Sequence, residues 1–445
     1  MDQDRHSLEE AIRDIRLEES GGRPPRTSPA ALAESLSGLD EARKTETVAA
    51  LAPAEAGEVL WKADRSSRAE IVQRLDDERL GRICSSAAPD RAADFLRLLP
   101  PRRRGRVLPL LVPRQEKLVR RLLSFPPDSA GARMSPDVVP FDREMTVDQA
   151  VARMREHESQ GEIFHCYVVD GSGKLLGVVP MRKLLTASGS TRLGEMIRPF
   201  VVSVRTDMDQ EEVARVATRH VIYALPVVDE EGKLVGSITL DKVLRVIQEE
   251  ATEDMYKMAG TDQKEIVSES VFRIARIRAP WLFASWMGGL GASLIIGVFE
   301  ESIARVAALA AFLPIVLGMG GNIGTQSATV VVRGLAMGYI DVNALGRTVF
   351  REMRIGVILG MTYGVLLGVF ATVLHYRAYG INLGFTVGTA IFCSMCLAAT
   401  MGTFIPMLLR RLNVDPAIAT GPFVTTSIDI LGIVAYFTVA SLILL

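Results

Sequence analysis

The hydrophobic pattern changes character near residue 280. Before it, apolar positions recur at helical or strand spacing among many charges. After it, five stretches, roughly 280–299, 304–332, 355–374, 384–409 and 417–445, are apolar over about the 20 residues that a helix needs to cross a hydrocarbon core. Five crossings place the two ends of this half on opposite sides of a bilayer. The connections alternate in basic content. Arg273, Arg276 and Arg278 precede the first stretch, Arg333, Arg347, Arg351 and Arg354 separate the second from the third, and Arg410 and Arg411 follow the fourth. The other two connections offer only Arg305 and Arg377, beside Glu300 and Glu301. The positive-inside rule then predicts a cytoplasmic N-terminal half and a C-terminus on the outer side of a cell membrane.

In the polar half, residues 134–250 repeat themselves. Val151-Ala152-Arg153-Met154 recurs as Val213-Ala214-Arg215-Val216, Tyr167-Val168-Val169-Asp170 as Pro226-Val227-Val228-Asp229, and Gly173-Lys174-Leu175-Leu176-Gly177 as Gly232-Lys233-Leu234-Val235-Gly236. Each copy reads helix, short apolar strand, glycine turn, strand, helix, so the pair predicts one α/β module with units at 126–190 and 191–248. Upstream, 28–125 carries Leu-rich segments of helical period divided by Pro and Asp signals such as Ala88-Pro89-Asp90 and Pro100-Pro101, which predicts a small all-helical domain. Residues 1–27 read as a flexible leader. From Val243 to Ile277 the pattern is helical again, acidic at Glu249, Glu250, Glu253 and Asp254 and basic at Arg273, Arg276 and Arg278. One long connecting helix is expected there, with 249–278 leading into a membrane domain of five helices at 279–445.

Charge sharpens the division. Of 103 charged residues, 14 lie in 279–445, so the formal net charge of -1 averages a highly charged soluble half with a nearly uncharged one. Near-neutrality excludes a nucleic-acid binder held by bulk positive charge. The run Arg102-Arg103-Arg104-Gly105-Arg106 suits either a contact with nucleic acid or anionic lipid or, as the acids nearby favour, a solvated helix face or turn. Four scattered cysteines give no disulfide framework, and Cys393-x-x-Cys396 lies inside an apolar run, where packing is its expected role. The first twenty residues lack an apolar h-region, so no cleavable signal peptide is expected and the soluble half should stay in the cytosol.

An ionisable group near the bilayer centre costs about 2.5–3.5 kcal/mol on insertion scales, so each one inside a stretch calls for an explanation. Asp429 falls at mid-depth of the last stretch, with Thr425 and Thr426 one turn before it, a stripe that suits a cation path. The alternative is a hydrogen-bonded packing carboxyl. Asp415 precedes Pro416 and either caps the helix start or marks the path. The run Gly318 to Gln326, with Gly321 and Asn322 at its centre, either lets helices approach through Gly320 and Gly324 or breaks the helix and turns carbonyls toward a wet cavity.

Taken in order, Ala88-Pro89-Asp90 with Ala92-Ala93-Asp94, Phe125-Pro126-Pro127-Asp128-Ser129-Ala130-Gly131, the paired repeats, Glu250-Ala251-Thr252-Glu253-Asp254, Gly320-Gly321-Asn322-Ile323-Gly324-Thr325-Gln326-Ser327, Val414-Asp415-Pro416 and Gly421-Pro422-Phe423-Val424-Thr425-Thr426 resemble the MgtE family of magnesium channels and transporters. The repeats are then the two CBS motifs. The resemblance implies a homodimer in the lipid bilayer whose helical N domain, CBS pair and connecting "plug" helix sense cytosolic Mg²⁺ and close a pore. It implies that Asp429 binds the permeating ion, that Thr425 and Gly421 line the path, and that Asp415 marks its cytoplasmic mouth. Carbonyls of Gly320 to Gly324, around Gly321 and Asn322, would supply oxygens to the ion's water shell. Asp90, Asp94, Asp209, Glu211, Glu250, Glu253 and Asp254 are the implied sensing acids.

Departures from the resemblance have consequences. Where it leads one to expect acids, this chain carries Arg91, Lys242 and Arg245, which implies a weaker Mg²⁺ dependence of gating. ATP, a frequent ligand of CBS pairs, finds Gly236, Thr239 and Asp241 in the second repeat but Gly177, Pro180 and Lys183 in the first, which leaves at most one half-site. Three other readings stand beside Mg²⁺ transport: a channel for Co²⁺, Mn²⁺ or Zn²⁺, a non-transporting membrane sensor, and an intramembrane enzyme. Softer metals favour nitrogen or sulfur, whereas no His lies inside a stretch. An enzyme lacks a nucleophile with its base, a His cluster and a phosphate loop. No nucleic-acid partner is expected.

Overall fold

A computed structural model describes residues 28–156, 165–198, 202–220, 222–262, 265, 270–419 and 421–444. The chain divides into two compact units, Met1–Gln248 and Glu249–Leu445.

In the first unit, short helices follow one another from Pro29–Leu36 to Ala130–Arg133. Their starts are written in the sequence. Asp40, Asp64 and Asp76 accept hydrogen bonds from the amides of Arg43, Ser67 and Arg79 at 2.9, 2.9 and 2.6 Å. Proline opens the helices at Pro29, Pro53, Pro89, Pro101 and Pro113, where its missing N–H costs nothing. The arginine run is structural: Arg103 and Arg106 hold Asp77 at 2.7 and 2.9 Å, and Arg104 donates to the Leu96 carbonyl at 3.0 Å.

The repeats form two three-stranded sheets, β1 (Pro140–Asp142), β2 (His165–Val169), β3 (Leu175–Pro180) and β4 (Val204–Arg205), β5 (Ala224–Val228), β6 (Leu234–Thr239). In each, the first pair is parallel and the second is an antiparallel hairpin with a register shift at the same place, Val168/Val169 and Val227/Val228. The hairpin turns carry Gly173 at φ +85 and Gly232 at φ +80, a left-handed conformation that glycine adopts without strain. The two turns also join the repeats, Leu175 N–H to Gly232 O at 3.0 Å and Leu234 N–H to Gly173 O at 3.1 Å. The leading strands β1 and β4 are additions to the expected pattern. Their neighbours differ as well. The second repeat shares one continuous apolar core with the helical domain, through Val204, Leu225, Ile238, Val243 and Val246, whereas the first repeat has its own core around Phe141, Val168 and Leu193.

The expected connecting helix to Ile277 is not formed as one piece. It runs from Leu240 to Met258 and ends because Gly260 takes φ +72, with the Thr261 amide bonded back to Tyr256 O at 2.9 Å and the Gly260 amide to Lys257 O at 3.0 Å. A new helix begins at Val271, capped by Ser270.

Among the described residues, five helices are long and apolar enough to cross a membrane. They are Val271–Val298, Ala308–Ala336, Leu345–Tyr379, Asn382–Arg411 and Pro422–Ile443, numbered here first to fifth. The third takes up Arg347, Arg351, Glu352 and Arg354, which the hydropathy pattern assigns to a connection. The last stretch is divided: Pro416–Ala419 is a separate short helix, and the fifth helix starts after Gly421. The third and fourth helices meet backbone to backbone, since a Cβ on Gly364 would lie 2.7 Å from Gly388 O and one on Gly388 would lie 2.7 Å from Gly364 O.

Candidate functional site

The fifth helix places Thr425 and Asp429 one turn apart, and the second helix places Gly321, Asn322, Thr325 and Gln326 opposite them. Together they line an open cavity of about 720 Å³ in the membrane unit. Among the described residues none pairs with the Asp429 carboxylate, which is half-buried. The Thr425 hydroxyl donates to Gly421 O at 3.0 Å and Thr325 to Gly321 O at 2.8 Å, which leaves each oxygen able to accept. Thr426 is not part of this stripe. It packs against Gly288 of the first helix, where a side chain would have no room.

The second helix is continuous through the glycine run, so the broken-helix expectation is overturned and the carbonyls of Gly320 to Gly324 stay in the helix ladder. Gly320 and Gly324 serve close packing instead: a Cβ on Gly320 would meet Ser394 Oγ at 2.9 Å, and one on Gly324 would collide with Ile428. Gly321 faces open space, and Asn322 beside it is exposed. One run thus has a packing face and a polar face.

Asp415 has both oxygens engaged. Oδ1 caps the short helix at Ala417 N–H, 2.9 Å, and Oδ2 accepts from Lys257 Nζ at 2.7 Å. The same ammonium holds Glu253 at 2.7 Å. Burial pulls Lys257 toward neutrality, but the hydrogen bonds to Asp415 and Glu253 outweigh it and hold its pKa above the ordinary lysine value. Gly421 lies against the end of the connecting helix, where an added Cβ would be 3.2 Å from Met258 O. Sequence reasoning missed Lys257; its signal is the i,i+4 spacing to Glu253. It also missed Glu352, an acid of the third helix that is 5% exposed and accepts from Ser327 Oγ at 3.1 Å.

In the first unit, Asp90 and Asp94 sit one turn apart on the helix Pro89–Arg97, and both meet cations of the chain itself. Asp90, 5% exposed, pairs with Lys242, whose Nζ also reaches Arg133 O at 3.3 Å. Asp94 lies 3.5 Å from Arg97 and 4.0 Å from Arg133; burial pushes its pKa up, and the two arginines oppose that shift. Arg91 binds Glu58. Arg245 lies 3.7 Å over the Trp61 ring and donates to Trp61 O at 2.8 Å. All three basic departures are therefore engaged inside the unit. Asp209 caps its own helix at Glu211 N–H, 2.8 Å. Thr239 and Asp241 line a cavity of about 660 Å³ with Asp90, Arg91, Arg114 and Lys242. In the second unit Glu250 and Asp254 are both partnered, and Asp254 is 9% exposed.

Among the described residues no three His, Cys, Asp or Glu side chains converge as a metal cage. A lone carboxylate with hydroxyl and amide neighbours suits a hard cation that keeps its water.

Residues 313–439 match the family described as MgtE, divalent cation transporter; 27–128 match the MgtE intracellular N domain; 130–190 and 193–249 match the CBS domain. The magnesium transporter MgtE of Thermus thermophilus is 40% identical over 340 residues, 75% of this chain and 74% of that one. That of Bacillus subtilis is 36% identical over 328 residues, 74% of this chain and 72% of that one. A solved structure of the cytosolic domain of the Mg²⁺ channel MgtE in complex with ATP aligns at 34% identity and TM-score 0.47, over 53% of this chain and 99% of that one. The identity to these relatives, the extent over which it runs, and the order of the three matched segments show that this chain belongs to the MgtE family.

Proposed function

We propose that this chain imports Mg²⁺ through its membrane unit, and that the ion's path passes Asp429. The observation that carries this is the cavity itself: one unpaired carboxylate, with Thr425, Asn322 and Gln326, on an open face of apolar helices. Against lipid such a face is costly, so it calls for a cover. A second copy of the chain supplies it, and symmetry then brings two carboxylates to one hydrated ion. Oxygen ligands alone favour Mg²⁺ over Co²⁺, Mn²⁺ or Zn²⁺. The N-terminal half lies in the cytosol, as the arginine pattern of the connections supports. Rising cytosolic Mg²⁺ favours closure by occupying acids of the cytosolic parts, with Asp209, Glu211, Glu250, Glu253 and Asp254 the candidates beside Asp90 and Asp94.

The test is Mg²⁺ influx into proteoliposomes carrying a fluorescent reporter, comparing the intact chain with Asp429→Ala and with a truncation beginning near Val267. Flux lost in Asp429→Ala and raised in the truncation is the expected result. Silence in the intact chain and the truncation alike, with both folded and dimeric, overturns transport and favours a membrane sensor. A branch of this reading puts ATP in the cavity at Thr239 and Asp241, where Arg91 and Arg114 suit phosphate. Equilibrium dialysis of the full chain against ATP checks it, and absence of retention removes it.

A further inference from the structure

Asp415 does not wait empty for an ion: an ammonium of the chain already sits on it. We propose that Lys257 is a tethered cation that closes the mouth of the path, holding on Asp415 the place that an arriving Mg²⁺ would take. The inference rests on the reading of the membrane unit as a Mg²⁺ path.

Three observations converge on this point. Lys257 Nζ lies 2.7 Å from Asp415 Oδ2 and 2.7 Å from Glu253 Oε1, so one charge neutralises the acid of the mouth and an acid of the connecting helix together. The remaining Asp415 oxygen accepts from Ala417 N–H at 2.9 Å, so each oxygen already has a partner within the chain. The connecting helix also ends against the break that precedes the fifth helix. A side chain at Gly421 would meet Met258 O at 3.2 Å and Lys257 O at 3.7 Å. That break leads directly into the turns that carry Thr425 and Asp429.

The competition is between a bound ion and a side chain. Mg²⁺ is doubly charged but gives up its water reluctantly. The ammonium of Lys257 needs no diffusion to arrive, because the helix Leu240–Met258 delivers it. Withdrawal of the helix end releases it, and that exposes Asp415 and frees the backbone beside Gly421 in a single movement.

The experiment uses the full chain in proteoliposomes, with Mg²⁺ flux read at high Mg²⁺ on the cytosolic face, where the intact protein is closed. Lys257→Met keeps the stem and removes the charge; flux is expected to rise about tenfold, the scale of one charge-assisted hydrogen bond. Lys257→Arg keeps the charge and should stay closed. The exchange of Lys257→Asp with Asp415→Lys restores the pair and should restore closure. Asp429→Asn added to Lys257→Met should silence the flux, which shows that the leak uses the path. If Lys257→Met unfolds, Lys257→Gln replaces it: the polar stem stays, the charge goes, and flux should rise in the same way. Asp429-dependent flux that Lys257→Met, or Lys257→Gln in its place, leaves unchanged overturns the latch alone. Absence of Asp429-dependent flux from every variant, at low and high Mg²⁺, overturns the transport reading and the latch with it.

Discussion

Single residues set the charge balance of the first unit. Lys242 and Asp90 are among its few buried ions, with side chains 11% and 6% exposed. Asp90 Oδ1 has no hydrogen-bond partner, so the carboxylate depends on Lys242 for most of its compensation. Removing one member of such a pair leaves a bare buried charge. Lys242→Ala should therefore destabilise the cytosolic part by about 3 kcal/mol, read as a lowered denaturation midpoint of the full chain in detergent. Lys242→Ala combined with Asp90→Ala should recover much of the loss, because no orphan charge remains. A single variant as stable as the parent would show that water reaches Asp90.

At the level of elements, the third and fourth membrane helices pack at glycines on both sides. Gly364 and Gly388 allow the third and fourth helices to touch through their main chains, and no larger residue fits either place. Gly364→Leu should force these helices apart at a cost of about 1–3 kcal/mol. The expected readout is a lower melting temperature in detergent, with Gly297→Leu on the first helix, where a Cβ meets open space, as the neutral control. Equal melting of both variants would place the glycine contact outside the folding core.

The repeat was legible because both hairpins keep the same apolar and glycine positions, down to the same register shift. The connecting helix was misread because hydropathy registers period and ignores the left-handed Gly260 that stops it. Glu352 was passed over because Arg351 and Arg354 make its surroundings read as a connection, while the helix continues through them. At the site, Asp429, Thr425 and Asn322 were legible as polar residues in an apolar run. The Lys257 contact was not, since the pairing with Asp415 spans 158 residues and no local pattern encodes it.

For the whole molecule, the gating proposed above depends on how much anionic repulsion Mg²⁺ has to relieve. In the first unit Asp90 and Asp94 already face Lys242, Arg97 and Arg133, and Glu58 faces Arg91. In the second, Glu253 and Asp415 share Lys257. Acids compensated by the chain's own cations repel one another little when Mg²⁺ is withdrawn, so the proposed gating predicts only a small difference in Mg²⁺ affinity between closed and open arrangements. Open probability in patch recordings should therefore fall only shallowly as cytosolic Mg²⁺ rises. Exchange of Lys242→Asp together with Arg245→Asp places two carboxylates beside Asp90 and Trp61 in place of two cations. That variant should lose the docking of the helical domain on the second repeat in chelator, regain it in Mg²⁺, and respond more steeply than the parent. A steep low-millimolar response in the parent, unchanged by the exchange, would mean that the acids governing closure are not the ones its lysines and arginines occupy.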